Sequence, residues 1–151
     1  DTFTDFKNFK GSSGNDSFTL TSGDTTSYSL QGESKQDTFL IANKNNATIN
    51  GGSSLSDDDT LSFANDTSKV TINNINAGAG EANDADSGKI IFSNIKTFIG
   101  GSGGSEFTVT DTNNANSYTL RGGSGINAMT GGSGNDTLVA GSANNILKGG
   151  E

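Results

Sequence analysis

Aspartates that follow runs of glycine are the residues of this chain whose type and spacing best suit chemistry. Residues 131–139 read GGSGNDTLV and fit the nonapeptide GGxGxDxUx, where U is a large apolar residue. Glycines let the backbone approach a bound ion closely, because no Cβ obstructs it. Their carbonyls and the carboxylate of Asp136 are hard oxygen ligands, which suit Ca²⁺ better than the tighter octahedral Mg²⁺. The pattern predicts a calcium-binding turn, with Leu138 anchoring the strand that follows.

The same pattern recurs with a period of nine residues. Residues 122–130 place Asn127 in the aspartate position, residues 140–148 place Asn145 there, and a further copy begins at Gly149. Periods of this kind come from stacked architectures in which each unit buries its apolar face on the next. We therefore expect a solenoid.

Looser copies occupy the first half of the chain. Each keeps an aspartate two residues before a large apolar residue: Asp16 before Phe18, Asp37 before Phe39, and Asp59 before Leu61. Their leading glycines are Gly11, Gly32 and the pair Gly51 and Gly52, with Gly14 as a further match in the first copy. The third copy is longer and also carries Asp57 and Asp58.

Short segments between these loops alternate apolar residues with serine and threonine, as in residues 28–30, 47–49 and 70–72. This period of two is typical of half-buried strands. Each stretch of about 20 residues then holds two strands and two turns, which is one coil of a parallel stack. The pairs Phe18/Leu20, Phe39/Ile41 and Leu61/Phe63 are expected to form inward ladders from coil to coil.

Residues 73–94 depart from the pattern and are rich in small and acidic residues. An EF-hand loop with Gly88 as its fixed glycine would place Asn83, Ala85 and Ser87 at ligand positions and has no closing glutamate, so a solvated loop is favoured. A strand is expected after it at residues 89–92. The resulting division is 1–72 (degenerate coils), 73–94 (inserted loop and strand) and 95–151 (further coils), within one continuous solenoid.

The composition excludes several function classes. The chain has 151 residues, a net charge of −8, and no Cys, His, Pro or Trp. Nucleic-acid binding is not expected without a basic cluster, and no apolar run is long enough to span a membrane. Carboxylate pairs such as Asp57 and Asp59 offer acid or base groups, but they lie in predicted loops without a histidine or cysteine, so we expect no enzyme activity.

These residues resemble the repeats-in-toxin (RTX) family, closely at 131–139 and well at 11–20. The resemblance implies an all-β, right-handed parallel β-roll or β-helix with Ca²⁺ held between successive turns. Residues 62–65 and 93–101 also look like the spacers between repeat blocks of large secreted RTX proteins. That type includes S-layer proteins and adhesins.

The resemblance carries the family's calcium-ligand role onto this chain's matching residues. The aspartates are Asp16, Asp37, Asp59 and Asp136, with Asp57 as an alternative neighbour of Asp59, and the glycines are Gly11, Gly14, Gly32, Gly131, Gly132 and Gly134. A calcium shared between coils would pair Asp16 with Asp37, and Asp37 with Asp59 or Asp57. The loops at Gly122 and Ala140 offer only the neutral Asn127 and Asn145, and Asp136 would pair with the loop that begins at Gly149. We therefore expect few and weak sites. Asx turns, which need no metal, are the alternative interpretation of all these residues.

The resemblance implies a calcium-binding, non-catalytic structural segment of a protein secreted to the surface of a Gram-negative bacterium by type I secretion. Expected partners are calcium, further coils of the same chain or other copies of it, and a cell-surface glycan. One alternative is an accessory module of a secreted protease, lipase or alginate-modifying enzyme. A more remote alternative is ice binding through outward threonines: Thr19, Thr21, Thr48, Thr71, Thr108, Thr110 and Thr119.

Overall fold

The computed structural model describes residues 6–21, 26–113 and 116–150. The chain is an all-β solenoid with parallel sheets, about 6 turns of about 22 residues, and almost no helix. This confirms the predicted fold class. It also agrees with the alternating pattern, because each coil buries every second residue of two short strands.

Two sheets form opposite walls of the solenoid. The six-stranded sheet contains β2 (Ser17–Leu20), β4 (Thr38–Ile41), β6 (Thr60–Ser62), β10 (Thr97–Ile99), β12 (Thr119–Arg121) and β14 (Thr137–Val139). The nine-stranded sheet contains β1 (Asn8–Lys10), β3 (Ser27–Gln31), β5 (Asn46–Asn50), β7 (Val70–Ile75), β8 (Gly80–Asp84), β9 (Lys89–Ser93), β11 (Ser105–Val109), β13 (Asn127–Thr130) and β15 (Ile146–Lys148). A single 3-10 helix, Leu55–Asp57, lies before β6 within the described residues.

The core consists of apolar residues that face each other in register on successive strands. In the six-stranded sheet one ladder joins Phe18, Phe39, Leu61, Phe98, Leu120 and Leu138. Its four central members are buried, and the rings of Phe18 and Phe39 stack 5.1 Å apart. Leu20 pairs with Ile41, and Phe63 is buried just after β6, so the predicted inward ladders are confirmed.

The inserted segment contains a strand that the sequence analysis missed. The predicted strand at 89–92 is confirmed as β9, but the expectation of a plain loop before it is wrong. Strand β8 runs antiparallel between β7 and β9. Its residues alternate, with Ala82 buried between the more exposed Glu81 and Asn83, and small residues allow close packing. A Cβ on Gly80 would lie 2.7 Å from the Phe92 ring.

This insertion makes the two walls unequal. In the six-stranded sheet, β6 pairs directly with β10. In the nine-stranded sheet, three strands (β9, β8 and β7) lie between β5, which precedes β6 in the chain, and β11, which follows β10. A regular stack would place one strand there. Two extra strands lengthen that wall by about 10 Å, which leaves the six-stranded sheet as the shorter wall. Phe98 of the shorter wall packs against the longer one, with its ring 5.2 Å from that of Phe92 and 6.3 Å from that of Phe107.

Candidate calcium-binding turns

The turns form two columns, one along each edge of the solenoid. We call the turns that lead from the nine-stranded to the six-stranded sheet the first edge, and those that lead back the second edge. All five aspartates predicted as ligands lie at the first edge, whereas Asn127 and Asn145 lie at the second. The topology therefore separates the charged from the neutral copies of the motif.

At the first edge, aspartates of successive coils are linked by hydrogen bonds. The N–H of Asp16 donates to Asp37 Oδ1 at 2.7 Å, and the N–H of Asp37 donates to Asp59 Oδ1 at 2.7 Å. The structure thus brings together the pairs that the sequence predicted, Asp16 with Asp37 and Asp37 with Asp59. Lys96 occupies the next position and has no side-chain acceptor, so the carboxylate ladder ends at Asp59, while the backbone bond from the N–H of Thr97 to the carbonyl of Asp59 continues as in the earlier coils. The carboxylate ladder resumes where the N–H of Tyr118 donates to Asp136 Oδ1 at 2.8 Å.

The second oxygen of each carboxylate divides the aspartates into two kinds. Asp16 Oδ2 accepts from the N–H of Ser12 at 2.6 Å, and Asp136 Oδ2 accepts from the N–H of Gly132 at 2.7 Å. Oδ2 of Asp37 and Oδ2 of Asp59 are buried and have no hydrogen-bond partner in the described part of the chain. A buried acceptor without a donor costs free energy, so these two oxygens call for a cation or a proton.

Backbone carbonyls lie beside both unpartnered oxygens. A Cβ on Gly32 would lie 2.2 Å from Asp37 Oδ2 and 2.3 Å from the carbonyl oxygen of Gly51. A Cβ on Gly51 would lie 2.4 Å from Asp59 Oδ2 and 2.3 Å from the carbonyl oxygen of Asn94. Any residue other than glycine would clash there. The two glycines therefore let carboxylate and carbonyl oxygens of neighbouring coils approach each other, which is the donor set that Ca²⁺ prefers.

The electrostatics at this edge are unfavourable without a cation. Burial raises the pKa of Asp59 to about 6; the N–H of Asp37 opposes this shift, and the carboxylates of Asp37, Asp57 and Asp58 add to it. The pKa of Asp37 is also raised, first by burial and then by Asp16 and Asp57. Both shifts indicate that ionising the buried carboxylates of Asp37 and Asp59, which lie in adjacent coils, costs free energy in the folded state.

The other predicted ligands have different surroundings. Asp57 lies in the 3-10 helix and affects Asp37 and Asp59 through its charge. The N–H of Gly14 donates to Ser12 Oγ, and the carbonyl of Gly134 accepts from the N–H of Asp136. Gly11 packs against Asp16, and Gly131 lies beside Gly149 and Asp136. Among residues 6–21, 26–113 and 116–150, no three acidic, histidine or cysteine side chains converge as a metal group. Backbone carbonyls and water would have to complete any calcium site.

Asparagine replaces aspartate at the second edge and supplies its own donors. Asn127 Nδ2 donates to the carbonyls of Gly125 at 2.6 Å and Gly123 at 3.1 Å, and its N–H donates to Asn145 Oδ1 at 3.0 Å. Asn145 Nδ2 donates in the same way to the carbonyls of Gly141 and Ala143. Asn45, which the sequence analysis missed, donates to Ala42 and Thr21 in an equivalent turn. Here the side-chain amide donates hydrogen bonds to the backbone carbonyls that an ion would otherwise bind.

Sequence reasoning also missed a buried group that ties the insertion to the first edge. Asp111 Oδ2 accepts from the N–H of Ala77 at 2.9 Å and from the Tyr118 hydroxyl at 2.6 Å, and that hydroxyl accepts from the N–H of Gly78 at 2.9 Å. Burial would raise the pKa of Asp111, but these bonds and those from residues 113 and 116 bring it to about 2. The partners are 34 and 7 residues apart, so no local motif identifies them.

The second edge also holds one acidic group beside the insertion. Asp66 is buried, and its Oδ1 accepts from the N–H of Ser68 at 2.7 Å. Burial raises the pKa of Asp66 to about 6, and the carboxylates of Asp84 and Asp86 contribute to the shift. Asp86 Oδ2 accepts from Ser68 Oγ at 2.7 Å, which lowers the pKa of Asp86.

The geometry of the repeated turns agrees with one comparison to known proteins. Residues 119–151 match the family model of the RTX calcium-binding nonapeptide repeat (4 copies). No curated protein and no solved structure matches the chain significantly. The RTX match covers about a fifth of the chain, and it includes Asp136, Asn127 and Asn145. RTX repeats bind calcium, and carboxylate and carbonyl oxygens are the ligands that this ion prefers. Within the described ranges, no helix is long and apolar enough to cross a membrane.

Proposed function

We propose that this chain is a calcium-binding structural segment of a secreted bacterial cell-surface protein, an S-layer or adhesin building block, with no catalytic role. The observation that carries the calcium part is the pair of buried, unpartnered oxygens on Asp37 and Asp59, each beside a backbone carbonyl. The RTX match at residues 119–151 supports the same ion. Bound calcium would supply positive charge between carboxylates that otherwise repel each other.

The first-edge aspartates serve the stack as well as the ion. Oδ1 of Asp37 and Oδ1 of Asp59 each accept a backbone N–H from the preceding coil, so the carboxylates join adjacent coils with or without metal. Carboxylates used in this way hold the backbone of adjacent coils in register. This supports a structural role for the segment.

Thermal unfolding in calcium and in EDTA tests the ion. Ligand at about 100 times its Kd adds about 2.7 kcal/mol per site, which raises the Tm of a chain of this size by about 5–10 °C. We expect that rise in calcium and a smaller one in magnesium, followed by circular dichroism. An unchanged Tm and spectrum in calcium would refute the calcium assignment.

The intact protein distinguishes the surface roles from the enzyme-module alternative. Calcium-dependent sheets in electron micrographs would support the S-layer, and calcium-dependent attachment to cells would support the adhesin. A catalytic domain that loses activity when this segment is unfolded by EDTA would instead support an accessory module of a secreted enzyme.

A further inference from the structure

A continuous polar groove runs along the first edge, where the turns enter the strands of the six-stranded sheet. Its volume is about 730 Å³, and it is lined by residues from all six strands and the turns before them. The strand lining is a ladder of hydroxyl residues in register: Ser17, Thr38, Thr60, Thr97, Thr119 and Thr137. The central three are half-buried and the outer three exposed, as expected if the ladder lies on the floor of a groove.

The groove follows from the unequal walls of the solenoid. The two extra strands lie in the opposite sheet, so the hydroxyl ladder lies along the shorter wall of the solenoid. Concave faces of solenoids form extended binding surfaces. The ladder covers five strand spacings, about 24 Å, which is long enough for several residues of an extended polymer.

The chemistry of the lining selects the class of polymer. The ladder hydroxyls and the amides of Asn15, Gln36 and Asn135 make no side-chain hydrogen bond within the described residues, so their donors and acceptors are available. Lys96 and Asp58 neutralise each other at 3.1 Å. The remaining charges of the lining are the carboxylates of Asp16 and Asp37, so its side chains offer a polyanion no unpaired positive charge.

We propose that this groove binds an extended, neutral, β-linked polysaccharide. Hydroxyl groups that repeat at the strand spacing match the repeat of pyranose units along such a chain, and each rung can donate and accept a hydrogen bond. The groove presents no free aromatic ring, because the lining Tyr118 is buried and bonded to Asp111. Binding therefore depends on many weak contacts and increases with ligand length. A flat ice surface fits a concave groove poorly.

Native gel electrophoresis through soluble mixed-linkage β-glucan tests this in the presence of calcium. The groove variant is Thr38→Val, Thr97→Val and Thr119→Val, which removes three hydroxyls but keeps the β-branched shape. The control is Thr48→Val, Thr71→Val and Thr108→Val on the outer face of the other sheet. We expect the β-glucan to retard the unmodified chain and the control equally, and the groove variant to lose about 10- to 100-fold in affinity.

Parallel gels with dextran, a flexible α-linked polymer, and with the polyanion polygalacturonate complete the experiment. Equal retardation of the groove variant, no retardation of the unmodified chain in β-glucan, or retardation in polygalacturonate alone would overturn the proposal. If the groove variant does not fold, Gln36→Ala with Asn135→Ala removes exposed amides and should also weaken binding. The groove shares Asp16 and Asp37 with the calcium proposal, but the two are tested separately, because calcium-dependent melting without retardation would refute the groove alone.

Discussion

Aspartate at the first edge and asparagine at the second occupy equivalent turns but differ in the hydrogen bonds that their side chains make. Both accept a backbone N–H from the preceding coil, as Asp59 does from Asp37 and Asn145 does from Asn127. Asparagine also donates to carbonyls of its own turn, whereas Asp59 leaves an oxygen buried without a donor. The amide nitrogen thus supplies the donor to its own turn that a carboxylate lacks, although Asn127 Oδ1, like Asp59 Oδ2, is buried without a partner.

The comparison explains why the best sequence motif and the best candidate site differ. Asp136 lies in the nonapeptide that fits the pattern at every position, yet both of its oxygens accept backbone N–H groups. Asp37 and Asp59 lie in irregular turns. Glu33, the residue after the first glycine of one such turn, has a φ of 84° and does not donate to Asp37 as Ser12 does to Asp16. Irregularity of the turn removes the donor and creates the demand for a cation.

The largest effect is expected from Asp37→Asn combined with Asp59→Asn. Each new amide can donate to carbonyls of its own turn, as Asn127 does, and the buried charges are removed. The calcium-dependent increment, about 3 kcal/mol for one site at saturating ion, should disappear while stability in EDTA rises. Chemical denaturation in calcium and in EDTA measures both values.

Asp57→Asn is the matched control for that pair. It removes a neighbouring charge from the 3-10 helix but keeps both unpartnered oxygens. The calcium increment should persist in this variant. A loss as large as that of the double variant would identify Asp57 as the ligand and contradict the assignment to Asp59.

The periodic residues allowed the solenoid, its inward ladders and the pairing of aspartates between coils to be predicted. Strand β8 was missed because its alternation is carried by Ala82 between polar residues, and a stretch rich in glycine and alanine is typical of a loop. The donors that satisfy Asp16 and Asp136 were also not predictable. They depend on the φ and ψ angles of single turn residues, which the motif does not encode.

Asn127→Asp should produce the reverse change at the second edge. The carboxylate would face the carbonyls of Gly123 and Gly125 without the amide donor, at a cost of about 2 kcal/mol in EDTA. Calcium should restore part of this loss and thereby create a calcium response at this turn. Asn135→Asp, an exposed change in a neighbouring coil, serves as the control and should alter stability little. An Asn127→Asp chain as stable in EDTA as the parent would contradict the role given to the amide donor.

A smaller effect is expected from pH in the absence of calcium. Asp59 has a folded-state pKa of about 6 against 3.8 for the unfolded chain, so the folded state binds the proton more tightly. Its contribution is present below pH 3.8 and is lost as the pH rises through 6, which makes the protein less stable in EDTA at pH 7 than at pH 5 by about 1 kcal/mol. Asp66 contributes with the same sign, since its pKa is also about 6. Asp59→Asn should therefore reduce the slope without abolishing it, and calcium should reduce it in the parent chain by stabilising the ionised carboxylate. An Asp59→Asn chain with the same slope as the parent would contradict the raised pKa of Asp59.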